Sequence, residues 1–133
     1  MTQSTSQHTH QGLLIIRVAL SILLLIHGIT RAYLGTVGGF GEFLTSNGIP
    51  LGLAVAWFVT IFELTASLVM ASGRFVAPIA FVFMSIYACG IWLVHWSQGW
   101  FVVGAGRGGM EYSVLIIACL AGLAWAHRSD FSK

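Results

Sequence analysis

Residues 51–96 read LGLAVAWFVTIFELTASLVMA, then SGR, then FVAPIAFVFMSIYACGIWLVHW. Each long run is almost continuously apolar. At ~1.5 Å per residue, each can cross a ~30 Å hydrocarbon core as a helix. The connection between them, Ser72-Gly73-Arg74, is so short that it predicts an antiparallel helical hairpin. Barrel strands are excluded, because they need only ~10 residues and alternate apolar with polar positions.

Two further runs, residues 12–30 and 110–127, have the same character. The chain therefore predicts an all-α fold, a four-helix transmembrane bundle of two antiparallel hairpins. Its helices are expected over about 12–30, 51–71, 75–96 and 110–127. Residues 1–11 are polar and uncharged, lack the basic start of a secretory signal, and read as a disordered tail. Residues 128–133 read as a short cytoplasmic tail.

Composition agrees. The 133 residues are 57% hydrophobic and 8% charged, against roughly 25% charged in ordinary soluble domains. A soluble chain of this size could not bury so much apolar surface, so the lipid bilayer is the expected surrounding. The net charge of +2, without a basic run, excludes a nucleic-acid partner. Cys89 and Cys119 lie singly in apolar runs with no metal-ligand spacing and read as structural thiols.

With four spans, both termini share a side with the Ser72–Arg74 turn. That side holds Arg17, Arg74, Arg128 and Lys133, and the other holds Arg31 and Arg107. The positive-inside rule then predicts cytoplasmic termini in a cell (inner) membrane.

Polar residues within the spans are few, and their spacing is informative. Arg17, Ser21, Leu24, Gly28 and Arg31 lie on one stripe of the first helix, and Ala56, Thr60, Glu63 and Ser67 on one stripe of the second. Counted from the expected cytoplasmic ends, Arg17 and Glu63 lie at similar depth, which predicts an intramembrane ion pair between them. Such a pair serves either as a structural pin or as a proton or ligand site, and the pin is the preferred reading. The loop over residues 31–50 holds Phe40, Phe43 and Leu44 at the spacing of a short interfacial helix, with Glu42 on its wet side. Trp92, Trp96 and Trp100 fit an aromatic belt. Ala118, Gly122 and Ala126 form a small-xxx-small face open to close helix approach.

On this topology His27, Arg31, His95, Arg107 and Glu111 all lie near the outer surface. Together they would make a polar mouth for an anionic or quinone-like ligand, with arginine as charge partner and histidine as proton donor. The competing reading gives each residue a purely local role. Glu111 then complements a helix dipole, and the histidines and arginines meet lipid headgroups. His27 and His95 sit at the edges of the inward stripes, which argues against a haem. Glu42, His95 and Glu111 have no metal-binding spacing. Residues 104–109, Gly-Ala-Gly-Arg-Gly-Gly, lack the strand and lysine of a nucleotide phosphate loop.

Taken in order, several short motifs resemble the DoxX family of small four-helix membrane proteins. They are Arg17 with Gly28; Gly39-Phe40, Phe43-Leu44 and Gly48-Ile49-Pro50; Glu63-Leu64, Leu68 and Gly73-Arg74; and His95, Gly99-Trp100-Phe101 and Gly109-Met110-Glu111-Tyr112. The resemblance runs over roughly residues 12–125. Where the family often has a lysine after helix one, this chain has Arg31, and its Ser129-Asp130 lacks the family's preceding Gly-Pro-Gly. The family is named for a subunit of a quinone-linked oxidoreductase. The resemblance thus implies the fold and a redox association; together with the outer polar cluster it predicts an accessory or quinone-interacting subunit of a membrane oxidoreductase, with the ligand or partner site around Arg107 and Glu111. The alternative is a non-catalytic scaffold or assembly factor bound to a partner membrane protein or to a second copy. The residues themselves name no reaction and no cofactor; a quinone is compatible with them.

Overall fold

The computed structural model describes residues 2–132, and among these there is no strand. Its helices are α1 (Thr2–Tyr33), α2 (Val37–Ser46), α3 (Gly52–Ala71), α4 (Val76–Gly90) and α5 (Glu111–Ala126). A π-turn (Ile91–His95) and a 3-10 turn (Trp96–Gln98) continue α4, and a second 3-10 turn (Arg128–Ser132) follows α5. Three helical stretches, Ser6–Tyr33, Gly52–Ala71 and Val76–Gln98, are long and apolar enough to cross a membrane. α5 is equally apolar but shorter: its 16 residues span about 24 Å, less than a ~30 Å hydrocarbon core.

Both ends carry more regular structure than expected. Residues 2–11, read as a disordered tail, form the start of α1. No proline or glycine precedes Gly12, so nothing in the polar run breaks the helix that the apolar run nucleates. Met1 lies outside the described residues. At the other end, residues 128–132 are not a bare tail. Asp130 Oδ2 accepts a hydrogen bond from Val76 N at 3.0 Å and so caps the first turn of α4.

The chain divides at the expected tight turn into two compact units, Met1–Arg74 and Phe75–Lys133. Gly73, at φ +84°, ends α3 there, and Gly73 N and Arg74 N close the end of that helix on Met70 O and Val69 O.

In the first unit α1 and α3 run antiparallel, and small residues set how closely they meet. A Cβ on Gly28 would lie 2.9 Å from Glu63 Cβ and 3.2 Å from Leu64 N, so the helices touch where α1 has no side chain. That contact allows the close approach. Leu24 on α1 and Met70 on α3 have no exposed surface. Without a water-driven hydrophobic term in lipid, such close packing is the main attraction between helices.

α2 lies on α3 by the same device. A Cβ on Gly41 would stand 2.7 Å from Leu53 Cα, and one on Gly52 would collide with Gly41 O and Thr45 Oγ1. Val37, Gly41 and Leu44 are buried and Glu42 is exposed, which matches the expected short helix. Phe43 instead points outward, 37% exposed.

In the second unit α4 and α5 also run antiparallel. Asp130 meets Val76 at one end, and His95 meets Gly108 at the other. Val76, Ala77, Ala80, Phe83 and Leu120 are fully buried between them. The outward faces of both units are hydrocarbon: Ile15 is 69% exposed, Leu68 58%, Phe81 60% and Trp92 79%. Surface of that kind is stable only against lipid or another apolar partner.

Glycines in α2 provide a direct check on the role of Gly41. Gly41→Ala is expected to cost about 1–3 kcal/mol through overpacking. Gly39→Ala, with nothing within 4 Å of its added Cβ, should be neutral or stabilising by up to about 1 kcal/mol. Thermal unfolding of the two variants in the same detergent measures the contrast.

Candidate functional site

The polar residues singled out from the sequence fall into two sets, one in each unit. In the first unit, Glu63 is 3% exposed on α3. Its Oε2 accepts a hydrogen bond from Arg31 Nη1 at 2.6 Å, an ion pair in which the arginine side chain keeps 18% exposure. Arg31 Nη1 also reaches Thr60 Oγ1 at 3.3 Å, one turn away on α3. The guanidinium carbon stands 4.7 Å from the centre of the Phe40 ring on α2, within cation–π range. One arginine therefore ties the end of α1 to both α2 and α3. Thr60 satisfies its own hydroxyl on Ala56 O at 2.8 Å.

This arrangement corrects the expected Arg17–Glu63 pair. Arg17 lies against Gly73, its Nη2 3.1 Å from the position of a Cβ there. Gly73 is ten residues from Glu63 along the chain, or about 15 Å if both stood on one straight helix. Counting depth from assumed helix ends made Arg17 and Glu63 level. In the observed register Gly28 faces Glu63, and Arg31 reaches the carboxylate. The partners Thr60 and Phe40 went unrecognised in the sequence. Thr60 was on the same stripe as Glu63, and Phe40 on the expected interfacial helix, but nothing local linked Phe40 to Arg31, because its approach depends on how α2 folds back. His27 is exposed on α1 and makes no hydrogen bond among the described residues.

In the second unit, the loop ahead of α5 is built by its own backbone. Gly109 N donates to Phe101 O, Met110 N to Gly99 O and Glu111 N to Trp100 O, each at 3.0 Å. A Cβ on Gly109 would strike the Trp100 carbonyl, so only glycine allows the two arms of the loop to close. Glu111 Oε1 accepts from Val102 N at 3.0 Å. His95 Nδ1 stands 2.6 Å from Gly108 O, and since a carbonyl only accepts, Nδ1 carries the hydrogen. Glu111 and His95 are thus fasteners of the loop. Arg107 is exposed at its tip.

Cys89 and Cys119 are free thiols. Among the described residues, no three His, Cys, Asp or Glu side chains come together.

A sequence model of the DoxX family matches residues 12–96. The chain belongs to the DoxX family. No curated protein and no solved structure matches it. The matched stretch contains Arg17, Arg31, Phe40, Thr60 and Glu63, while Arg107 and Glu111 lie beyond it. Family and helices together make this DoxX protein a multi-pass membrane protein in contact with the bilayer.

The fastening role of Glu111 has a measurable consequence. Glu111→Ala should leave Val102 N without its acceptor and loosen the loop by about 1–2 kcal/mol. Hydrogen exchange at Val102 should then speed up by roughly tenfold, while exchange in α1 and α3 stays unchanged.

Proposed function

We propose that this DoxX protein is a non-catalytic accessory subunit of a membrane oxidoreductase, held to a partner membrane protein through one face of α5. The observation that carries this reading is the open small-residue face of α5. Ala118, Gly122 and Ala126 are exposed, a Cβ on Gly122 would meet nothing within 4 Å, and Leu115 and Trp125 flank them at 60% and 73% exposure. A helix shorter than the hydrocarbon core is better accommodated against a partner than against lipid alone. Small residues allow a partner helix to approach backbone to backbone.

The ionisable groups support the same reading from the other side. Glu63, Glu111, His95 and Asp130 each make an internal contact that holds a helix or loop in place. Groups so engaged serve architecture, and the redox association comes from the family resemblance.

A second reading, a quinone-type ligand at Arg31, rests on one observation. Nη1 makes both of the arginine's hydrogen bonds, which leaves Nη2 and Nε without an acceptor among the described residues. A quinone carbonyl could accept from either.

Purification of the intact protein in mild detergent from its native membrane distinguishes the two. A stoichiometric second membrane protein, without quinone, supports the accessory role. A quinone that co-purifies with the protein alone supports the ligand role. Gly122→Leu should abolish the partner and leave the melting temperature unchanged, since the added side chain enters open space. Retention of the partner in that variant would rule out this face.

A further inference from the structure

We infer that the tip of the loop between α4 and α5 binds the phosphate of an anionic phospholipid headgroup. Residues Val103, Gly104, Ala105, Gly106 and Arg107 line an open depression. The base of the loop is closed by hydrogen bonds from the amides of Val102, Gly108, Gly109, Met110 and Glu111. The tip is different. Among the described residues, none of the five consecutive N–H groups from Val103 to Arg107 donates to a protein acceptor, and neither does the Arg107 guanidinium. Gly104, at φ +82°, and Gly108, at φ +69°, bracket the tip. Left-handed residues in a short loop are the usual means of presenting successive N–H groups to one anion.

The electrostatics point the same way. Arg107 is the only charged residue lining the depression. The nearest carboxylate in sequence, Glu111, is turned onto Val102 N. A guanidinium and unengaged amides lining one depression offer a phosphate both charge and hydrogen-bond donors, the combination that oxyanions require. The rim decides which phosphate. Trp96 is 68% exposed, Trp100 51%, Phe101 46% and Val103 73%. Exposed tryptophans at the end of a membrane helix mark headgroup depth. A phosphate held there is that of a lipid, with its acyl chains along the exposed face of Trp92 and Trp96. A nucleotide would require the strand and lysine that this loop lacks.

The proposal is independent of the partner on α5 and is tested with the full chain in detergent. Binding of phosphatidylglycerol and of phosphatidylcholine is measured by native mass spectrometry, for wild type, Arg107→Gln and Arg107→Lys. Phosphatidylglycerol should bind in preference. Arg107→Gln should weaken it on the order of five- to tenfold, the effect of one basic residue at an anionic surface, and Arg107→Lys should retain most of the affinity. Arg107 makes no hydrogen bond or ion pair among the described residues, so an unchanged melting temperature is expected in both variants. Equal binding of the two lipids, or of phosphatidylglycerol by wild type and Arg107→Gln, would overturn the assignment. Displacement of the lipid by inorganic phosphate at equal concentration would overturn its lipid source.

Discussion

A carboxylate buried between membrane helices must be met by a cation or give up its charge, because lipid provides neither water nor counter-ion. Glu63 is met by Arg31, and much of the first unit follows from that requirement. Arg31 sits near the end of α1, so the pair fixes where α1 lies along α3. Its guanidinium also faces Phe40, so the same group holds α2 down. The pair alone is a weak source of stability, since desolvating two charges offsets most of their attraction. Its effect is to make other registers costly: sliding α1 by one turn would leave a buried charge on α3 alone.

Glycine makes the complementary contribution. Ion pairing selects a register, and Gly28, Gly41 and Gly52 allow the backbones to come close enough to use it. In the second unit Gly109 has the same role within a loop, where a side chain would collide with the Trp100 carbonyl. Both units therefore combine few polar contacts with close backbone approach. That economy suits a chain whose remaining surface faces hydrocarbon.

The apolar runs were legible because length and hydropathy alone decide whether a helix can cross a bilayer. Gly28 and Gly73 stood out as motif residues, but their roles depend on which helices touch. The ionisable residues were legible as a set and not as pairs. Arg17 and Arg31 lie on the same stripe of α1, 14 residues apart, so stripe position could not choose between them as the partner of Glu63. That choice rests on the register, which is a property of two helices and not of either one. Asp130 was hidden for a similar reason, since a cap donated from 54 residues away leaves no local pattern. Glu111 and His95 were found near the right loop, yet their side chains turn to backbone groups that any sequence would supply.

A double-mutant cycle measures the Arg31–Glu63 interaction most directly. Arg31→Met, Glu63→Met and the double variant are compared by reversible unfolding in detergent. Each single variant should lose about 3–5 kcal/mol, and the double variant should recover much of that loss. The parallel cycle with Arg17→Met should be additive to within about 0.5 kcal/mol. Additive losses for Arg31 and Glu63, or a coupling energy that appears with Arg17 instead, would contradict the register on which the first unit is built.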